Sequence, residues 1–240
     1  GVEIIDMGVV KDTYDAIEAA LLDASKSADM VITSGGVSVG DADFIKEALG
    51  NVGQVKFWKI AMKPGRPLAF GKIGKAHFFG LPGNPVSVMV GFHQFVTPAL
   101  EKISGTKTNR NIILEASVTE PLRKRPGRAE YQRGILAQED DGSLTVQPTG
   151  DQGSGILKSM SQANCFIYLP IDASDIHVNE AVRVIPFNSA ISQVPVSQLY
   201  IHPVLSNFPT GITNKLSFHR IRSQNRVRCI NVDEDFTFYI

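Results

Sequence analysis

The sequence predicts an α/β domain followed by a small all-β domain, and two changes in its pattern indicate this. Over residues 1–105, short apolar runs of strand length alternate with segments whose apolar residues recur at helical spacing, which is typical of a mostly parallel sheet with helices. From about residue 111, short strand-like runs alternate with turn-rich stretches. From about residue 189 both patterns weaken. We therefore predict an α/β domain at residues 1–106, a β-barrel domain at residues 107–188, and a tail of unclear fold at residues 189–240.

The elements of the first domain follow from apolar spacing and turn residues. A helix from about Thr13 to Ser25 is expected, with Asp12 at its N-cap. Because the first element looks like the middle of such a domain, we expect the opening strand of the sheet to be missing. The other predicted elements are a strand at 2–5 with a turn at 6–8, a buried parallel strand at 29–33, a helix at about 41–49, a strand at 55–62, a hairpin of 68–72 with 76–80, and a helix at about 86–104 that Pro98 kinks or splits.

The second domain is predicted to be a small all-β domain or barrel with five strands. Turn-rich stretches such as residues 125–128 and 139–143 separate them. The predicted strands cover residues 112–118, 130–136, 143–147, 165–169 and 181–185.

The overall composition excludes several classes of function. Lys and Arg together number 24, as do Asp and Glu, so no net field would attract nucleic acid or an anionic membrane, and any anion site must be local. No apolar run reaches the roughly 18 residues of a membrane span, and the first 20 residues do not resemble a signal peptide. Cys165 and Cys229 form no metal-binding pattern, which fits a reducing cytosol. We therefore expect a cytoplasmic protein.

Two predicted loops have a design that suits an anion, because in each an apolar strand ends in a glycine-rich turn before a helix. The serine–glycine loop is residues 34–43 (SGGVSVGDAD), and the proline–glycine loop is residues 81–87 (LPGNPVS). Amide groups and the helix dipole favour negative charge at a helix N-terminus, and glycine lets the backbone approach an oxyanion. The alternatives are a turn in which Asp41 caps a helix, and a rigid connector. The candidate binding residues are Ser34, Gly35, Gly36, Ser38, Gly40, Pro82, Gly83, Asn84, Pro85 and Ser87.

Between these loops lies the lysine segment, residues 59–67 (KIAMKPGRP). On one strand, Lys59 and Lys63 would point to the same face and, with Arg66 close by, would form a clamp for an anion. A solvated strand face is the alternative.

Two acidic residues are candidates for the same site. A carboxylate beside a phosphate loop usually holds Mg²⁺, which makes Asp43 the predicted metal ligand. Asp12 could join it, or could act only as the helix cap. In the β domain, the basic cluster comprises Arg123, Lys124, Arg125, Arg128 and Arg133, and a polar loop follows at residues 150–155.

Five segments, in their order and spacing, resemble the molybdopterin molybdenumtransferase family, which comprises MoeA-type enzymes and the gephyrin E domain. Three are the two loops and the lysine segment, and the others are residues 126–134 (PGRAEYQRG) and 149–154 (TGDQGS). The resemblance covers about residues 1–188. It implies a partial molybdopterin-binding (MogA-like) three-layer α/β domain followed by a small C-terminal β-barrel domain.

The resemblance also implies a reaction and roles for individual residues. Molybdate would be inserted into adenylylated molybdopterin with release of AMP, assisted by Mg²⁺. Asp43, Asp12, Lys59 and Lys63 are the predicted catalytic residues. The matched positions are Asp12 and Asp43 as functional acids, Lys59, Lys63, Pro82 and Pro85 in the cofactor pocket, and Arg133 and Ser154 at molybdate.

Two parts of the chain depart from the family's pattern. The family's α/β domain begins with a strand and a Thr-Gly-Asp-Glu-type loop, and domains that mediate dimer formation precede it; this chain contains neither. A homodimer is expected for the full-length parent, and the molybdopterin adenylyltransferase is a candidate partner. The segment after about residue 189 does not resemble the family's ending.

Two other functions stay open at this level. A molybdopterin adenylyltransferase shares the α/β domain and the Ser-Gly-Gly loop, but it is essentially that domain alone. A non-catalytic scaffold is a different class, because the gephyrin E domain also binds receptor segments. An unrelated nucleotide-binding protein would be expected to carry a GxxxxGK[ST] P-loop, which this sequence lacks.

Overall fold

The computed structural model of the chain describes residues 2–37, 44–105, 112–187 and 226–231. Its residues form two compact units, each described by itself below. Within the described residues, no helix is long and apolar enough to cross a membrane. The first unit comprises Gly1–Ile60, Pro64–Thr108 and His219–Ile240, and the second comprises Ala61–Lys63 and Asn109–Phe218.

The helices and strands are numbered in chain order. Those up to residue 103 are β1 (Glu3–Val9), α1 (Tyr14–Ser27), β2 (Met30–Ser34), α2 (Phe44–Val52), β3 (Gly53–Lys59), β4 (Met62–Lys63), β5 (Pro67–Ile73), β6 (Ala76–Leu81), α3 (Pro85–Gly91) and α4 (Thr97–Ile103). Those after it are β7 (Leu114–Val118), β8 (Ala129–Gln138), β9 (Leu144–Pro148), α5 (Leu157–Gln162), β10 (Cys165–Leu169), β11 (Ala181–Pro186) and β12 (Arg226–Asn231).

The first unit is built on a six-stranded sheet in the order β1-β12-β2-β6-β5-β3. β1, β12, β2 and β6 run parallel, whereas β5 and β3 are antiparallel to their neighbours. The predicted hairpin is confirmed as β5 and β6, and the sheet is mixed rather than mostly parallel because that hairpin extends it. α1 and α2 cover one face. The core there consists of Ile17, Leu21, Ala24, Val31, Val37, Ile45, Ala48, Leu49, Ala69, Ile73, Ala76 and Phe78.

The beginning of the first unit differs from two sequence predictions. β1 does not turn at residues 6–8 but continues to Val9, and its pairing with β12 shifts register between Asp6 and Val9. The shift occurs at Gly8, which has a φ of +66° and donates its N–H to the Asp6 carboxylate. α1 has Thr13 rather than Asp12 at its N-cap. The prediction that Asp12 caps this helix was wrong.

The last helical stretch of the first unit is interrupted near Pro98. α3 ends at Gly91, a π turn covers Phe92–Val96, and α4 begins at Thr97. Proline has no N–H to donate, and Thr97 donates its N–H to the Phe92 carbonyl in the wider π spacing. The predicted split at Pro98 is therefore confirmed.

β12 is the strand that the sequence pattern did not reveal. It lies between β1 and β2 and pairs with both in parallel register, with Val227 opposite Ile4 on one side and Met30 on the other. Val227 is only 1% exposed. The segment predicted as a tail of unclear fold thus supplies an interior strand of the sheet.

The second unit contains a closed five-stranded barrel. The pairing order is β10-β11-β7-β9-β8, and β8 pairs again with β10. The first half of β8 pairs with β10 and the second half with β9, and the strand changes partner at Gly134. A Cβ at Gly134 would lie 2.8 Å from Ile167, so glycine is required there. The five predicted strands and the predicted fold class are confirmed, although helix α5 was not expected. The barrel core is Ala116, Val118, Leu122, Val146, Cys165, Ile167, Leu169, Val182 and Val184.

We expect Val227→Asp to lower the free energy of unfolding by about 3 kcal/mol, because it buries an unpaired carboxylate in the sheet. Urea unfolding followed by circular dichroism would measure this change. Val9→Asp is the matched control, since Val9 is 48% exposed at the end of β1. Equal stability of Val227→Asp and the wild-type chain would contradict the position of β12.

The imidazole of His77 on β6 makes the stability of the first unit depend on pH. Burial, with a smaller contribution from Lys72, lowers the pKa of His77 to about 4. Between its ordinary pKa of about 6.5 and pH 4, the unfolded chain binds a proton that the folded chain does not, so stability falls as pH falls through this window.

We therefore expect His77→Gln to lose less stability between pH 7 and pH 4.5 than the wild-type chain does. Urea unfolding at a series of pH values would measure the difference, with exposed His177→Gln as the control. A pH dependence identical to that of the wild type would show that His77 does not cause it.

Candidate functional site

The serine–glycine loop and the proline–glycine loop begin side by side at one edge of the first unit's sheet. β2 and β6 are parallel neighbours, and their register aligns Ser34 with Leu81. The N–H of Gly35 donates to the carbonyl of Leu81 at 3.1 Å and extends the pairing beyond the end of β2. The two loops singled out from the sequence therefore leave from the carboxyl ends of adjacent parallel strands, which is where α/β sheets bind ligands.

The two glycines that open the serine–glycine loop are required by its backbone. Gly35 and Gly36 have φ values of +84° and +68°, which residues with a side chain rarely adopt. A Cβ on Gly36 would lie 2.9 Å from the side chain of Ile45 on α2. Val37 packs over Gly80 of β6, where a Cβ would come within 2.6 Å of the valine. The beginning of the loop, up to Val37, is thus held close against both α2 and the sheet.

A buried hydroxyl lies directly before this loop. Thr33 is fully buried, and its Oγ1 has no hydrogen-bond partner among the residues that the structure describes. A buried hydroxyl without a partner costs about 1–3 kcal/mol. Ser38, Gly40 and Asp43 lie outside the described residues, so the roles predicted for them stay predictions.

The proline–glycine loop is stiff and largely buried. Pro82 and Pro85 are buried, Gly83 is half-buried, and only Asn84 is exposed, at the N-cap of α3. Pro85 occupies the start of the helix, where its missing N–H costs nothing. Ser87, one of the predicted binding residues, is 4% exposed within α3.

The lysine segment is not one strand. β3 ends at Lys59, and the chain turns so that Ile60 donates its N–H to the carbonyl of Arg66 at 2.8 Å. Lys63 belongs to the two-residue strand β4, which pairs with β8 in the second unit, and its ammonium lies 3.6 Å from the carboxylate of Glu130. The strand predicted over residues 55–62 is confirmed as β3, but it ends at Lys59, so the alternation that would bring Lys59 and Lys63 to one face is interrupted. Lys59 is exposed.

The described residues contain no evident metal site. No three His, Cys, Asp or Glu side chains among them lie close enough to hold an ion. Asp12 is exposed just before α1. The predicted Mg²⁺ ligand Asp43 falls outside the described ranges.

In the second unit, Arg133 is buried and organises a loop. Its side chain is 1% exposed. The guanidinium donates to three successive carbonyls, those of Asp151, Gln152 and Gly153, at 3.0–3.2 Å, and to the hydroxyl of Ser159. Burial lowers the pKa of Arg133, and the nearby carboxylate of Asp151 opposes this effect. Residues 149–155, which we call the barrel loop, are thus fixed to strand β8.

Ser154, the other residue predicted to bind molybdate, is half-exposed within the barrel loop. The structure therefore places Arg133 behind the loop and Ser154 on it. Direct contact of either side chain with molybdate stays a prediction.

The basic cluster predicted in the β domain is not a single patch. Lys124 is 3% exposed, and its ammonium donates to the carbonyls of Arg125 and Ala173. Its backbone N–H donates to the carboxylate of Asp175 at 2.6 Å. Arg123, Arg125 and Arg128 are exposed. Lys124 therefore has a structural role, joining two segments of the second unit.

Sequence reasoning missed Gln152 and Ser159. Both contact Arg133, one through the backbone of β8 and the other from α5. Gln152 lies inside the segment 149–154 that carried the family resemblance, but a single glutamine in a polar loop gives no sign of its partner. Ser159 lies in a helix that the sequence pattern did not indicate.

Comparison with known proteins gives both units a family. Residues 1–102 match the family described as "Probable molybdopterin binding domain", and residues 115–187 match the "MoeA C-terminal region (domain IV)". A molybdopterin molybdenumtransferase of Haemophilus influenzae is 46% identical over 187 residues, covering 78% of this chain and 46% of that protein. Gephyrin of Dictyostelium discoideum is 33% identical over 202 residues, covering 75% of this chain and 28% of that protein. The chain thus spans less than half the length of these relatives.

A solved structure has the same fold. The molybdopterin biosynthesis MoeA protein from Pyrococcus horikoshii OT3 is 25% identical with a TM-score of 0.59, covering 76% of this chain and 41% of that chain. The two matched families occur here in one chain and in the order that the sequence resemblance implied, α/β domain first and barrel second. Together with the paired glycine-rich loops and the closed barrel, they show that the chain belongs to the MoeA-type molybdopterin molybdenumtransferase family.

Proposed function

We propose that this protein acts in molybdenum cofactor biosynthesis as a molybdopterin molybdenumtransferase, inserting molybdate into adenylylated molybdopterin with release of AMP. The observation that carries the proposal is the joint departure of the serine–glycine and proline–glycine loops from β2 and β6, linked by the hydrogen bond between Gly35 and Leu81. The names of the relatives supply the class of reaction.

In this proposal the first unit binds the phosphorylated pterin. The glycine-rich backbone after β2 lets phosphate oxygens approach without a Cβ in the way, and the exposed Lys59 ammonium supplies a positive charge at the end of β3. The stiff, buried loop at Pro82 and Pro85 would hold its shape without a ligand, so little conformational entropy would be lost on binding.

The second unit provides the residues for molybdate. A tetrahedral dianion suits backbone amides, a hydroxyl such as that of Ser154, and a nearby positive charge such as that of Arg133. This unit also separates the two enzymatic alternatives, because its match to the MoeA C-terminal region favours a molybdenumtransferase over an adenylyltransferase.

Mg²⁺, a homodimer of the full-length parent and a cytoplasmic location are further parts of the proposal. Asp43 would be the ligand of Mg²⁺, with Asp12 as the second acidic residue. The described residues do not form a group that fits the ion, so no step of the reaction is assigned to it.

We expect the purified 240-residue chain to bind adenylylated molybdopterin and to release AMP when molybdate is added. Chromatography of AMP over time would measure the release, with sulfate in place of molybdate as the control. Binding of the pterin without release of AMP would contradict the proposal that the chain is a transferase and would favour the non-catalytic alternative.

We expect Lys59→Ala to weaken the binding of adenylylated molybdopterin about tenfold or more, because it removes a charge-assisted contact to phosphate. Equilibrium binding would be compared with that of Lys75→Ala, a matched control in the exposed turn between β5 and β6. If the two variants bind the pterin equally well, Lys59 does not contact it.

A further inference from the structure

The barrel loop is held by a network that starts from a single buried cation. The side chain of Arg133 makes five hydrogen bonds within the second unit, three to carbonyls of the loop and two to the hydroxyl of Ser159. None of these acceptors is a carboxylate. Arg133 is 1% exposed, so its positive charge is hardly solvated, and the nearby carboxylate of Asp151 in the same loop attracts it without a hydrogen bond to it.

The direction of these bonds determines what the loop can offer. Arg133 draws the carbonyls of Asp151, Gln152 and Gly153 toward itself. Carbonyl oxygens would repel an oxyanion, and here they are turned to the guanidinium behind the loop. Direct contact between Arg133 and a ligand is restricted, because the side chain is almost fully enclosed and most of its N–H groups are already engaged.

Gln152 acts as a substitute for a neighbouring strand. Its side-chain oxygen accepts the backbone N–H of Arg133 at 2.7 Å, and its side-chain nitrogen donates to the carbonyl of Arg133 at 3.1 Å and to that of Gly150 at 3.2 Å. The amide thus pairs with both backbone groups of Arg133, as an adjacent strand would, and ties the loop to β8. The backbone N–H of Thr149 also donates to the carbonyl of Arg133, at 3.0 Å.

Ser159 fixes the guanidinium from the opposite side. Its hydroxyl accepts from Nε and Nη2 at 3.1 and 2.9 Å and donates to the carbonyl of Ile156 at 2.7 Å. Ser159 is 2% exposed. Because a serine has one hydroxyl hydrogen, this donation sets the direction in which its oxygen accepts, and the orientation of Arg133 follows from it.

We propose that Gln152 and Ser159 are positioning residues for oxyanion binding by the barrel loop, because together they fix the loop and the guanidinium of Arg133 relative to each other. The inference rests on the proposed function for the identity of the oxyanion, molybdate. It adds two residues to the site.

Equilibrium dialysis of molybdate against the full chain tests the proposal without requiring turnover. We expect Gln152→Ala and Ser159→Ala each to weaken molybdate binding at least about fivefold, the factor that corresponds to one hydrogen bond. Gln162→Ala and Ser161→Ala are the matched controls, since both residues are exposed on α5, and they should stay within about twofold of the wild type. Thermal unfolding would verify that every variant is folded at the temperature of the measurement.

A destabilised barrel variant separates positioning from a purely structural role. Val182→Ala truncates a barrel-core side chain on β11 that is 6% exposed, and we expect it to lower the stability of the second unit at least as much as Gln152→Ala or Ser159→Ala does. Its molybdate binding should nevertheless stay within about twofold of the wild type. If Val182→Ala weakens molybdate binding as much as Gln152→Ala and Ser159→Ala do, the role of these two residues is structural only and the proposal is overturned.

The outcomes for the proposed function and for this inference are distinct. A wild-type chain that binds molybdate but releases no AMP would remove the proposed function and leave the inference in place. A wild-type chain that does not bind molybdate, or alanine variants that bind it as well as the wild type, would overturn the inference.

Discussion

The parallel pairing of β2 with β6 is the constraint on which the first unit depends. It places residues about 50 positions apart at one edge of the sheet, and the hydrogen bond from Gly35 to Leu81 holds the beginnings of both glycine-rich loops together. The close packing of Val37 over Gly80 and of Gly36 against Ile45 leaves no room for a side chain at either glycine. The backbone shape at the beginnings of both loops therefore follows from the pairing of β2 with β6 and from this close packing.

In the second unit, the corresponding constraint is the buried positive charge of Arg133. Burying the guanidinium of Arg133 is costly, and hydrogen bonds to three carbonyls of the barrel loop and to the hydroxyl of Ser159 offset that cost. The requirement to satisfy the cation thus selects the loop conformation. In both units, side chains of neighbouring elements fix the backbone of the candidate site. Ile45 packs against Gly36 in the first unit, and Arg133 binds the carbonyls of the barrel loop in the second.

The two units are also assembled from segments that are distant along the chain. β12 enters the first unit's sheet from near the end of the chain, and the two residues of β4 pair with β8 of the second unit although the segments on both sides of them belong to the first. The matched families cover residues 1–102 and 115–187, so the interior strand β12 lies outside both. The stability of the sheet therefore depends on residues that carry no family resemblance.

The sequence by itself determined the type of nearly every element, the change from α/β to barrel, and the family, because apolar spacing, turn residues and motif order are local properties of the chain. Only the tertiary structure decided which groups meet. It interrupted the strand expected to bring Lys59 and Lys63 to one face, it buried Arg133 among the carbonyls of a loop, and it inserted β12 between β1 and β2. Each of these depends on a hydrogen-bonding partner far along the chain, and no local pattern specifies such a partner.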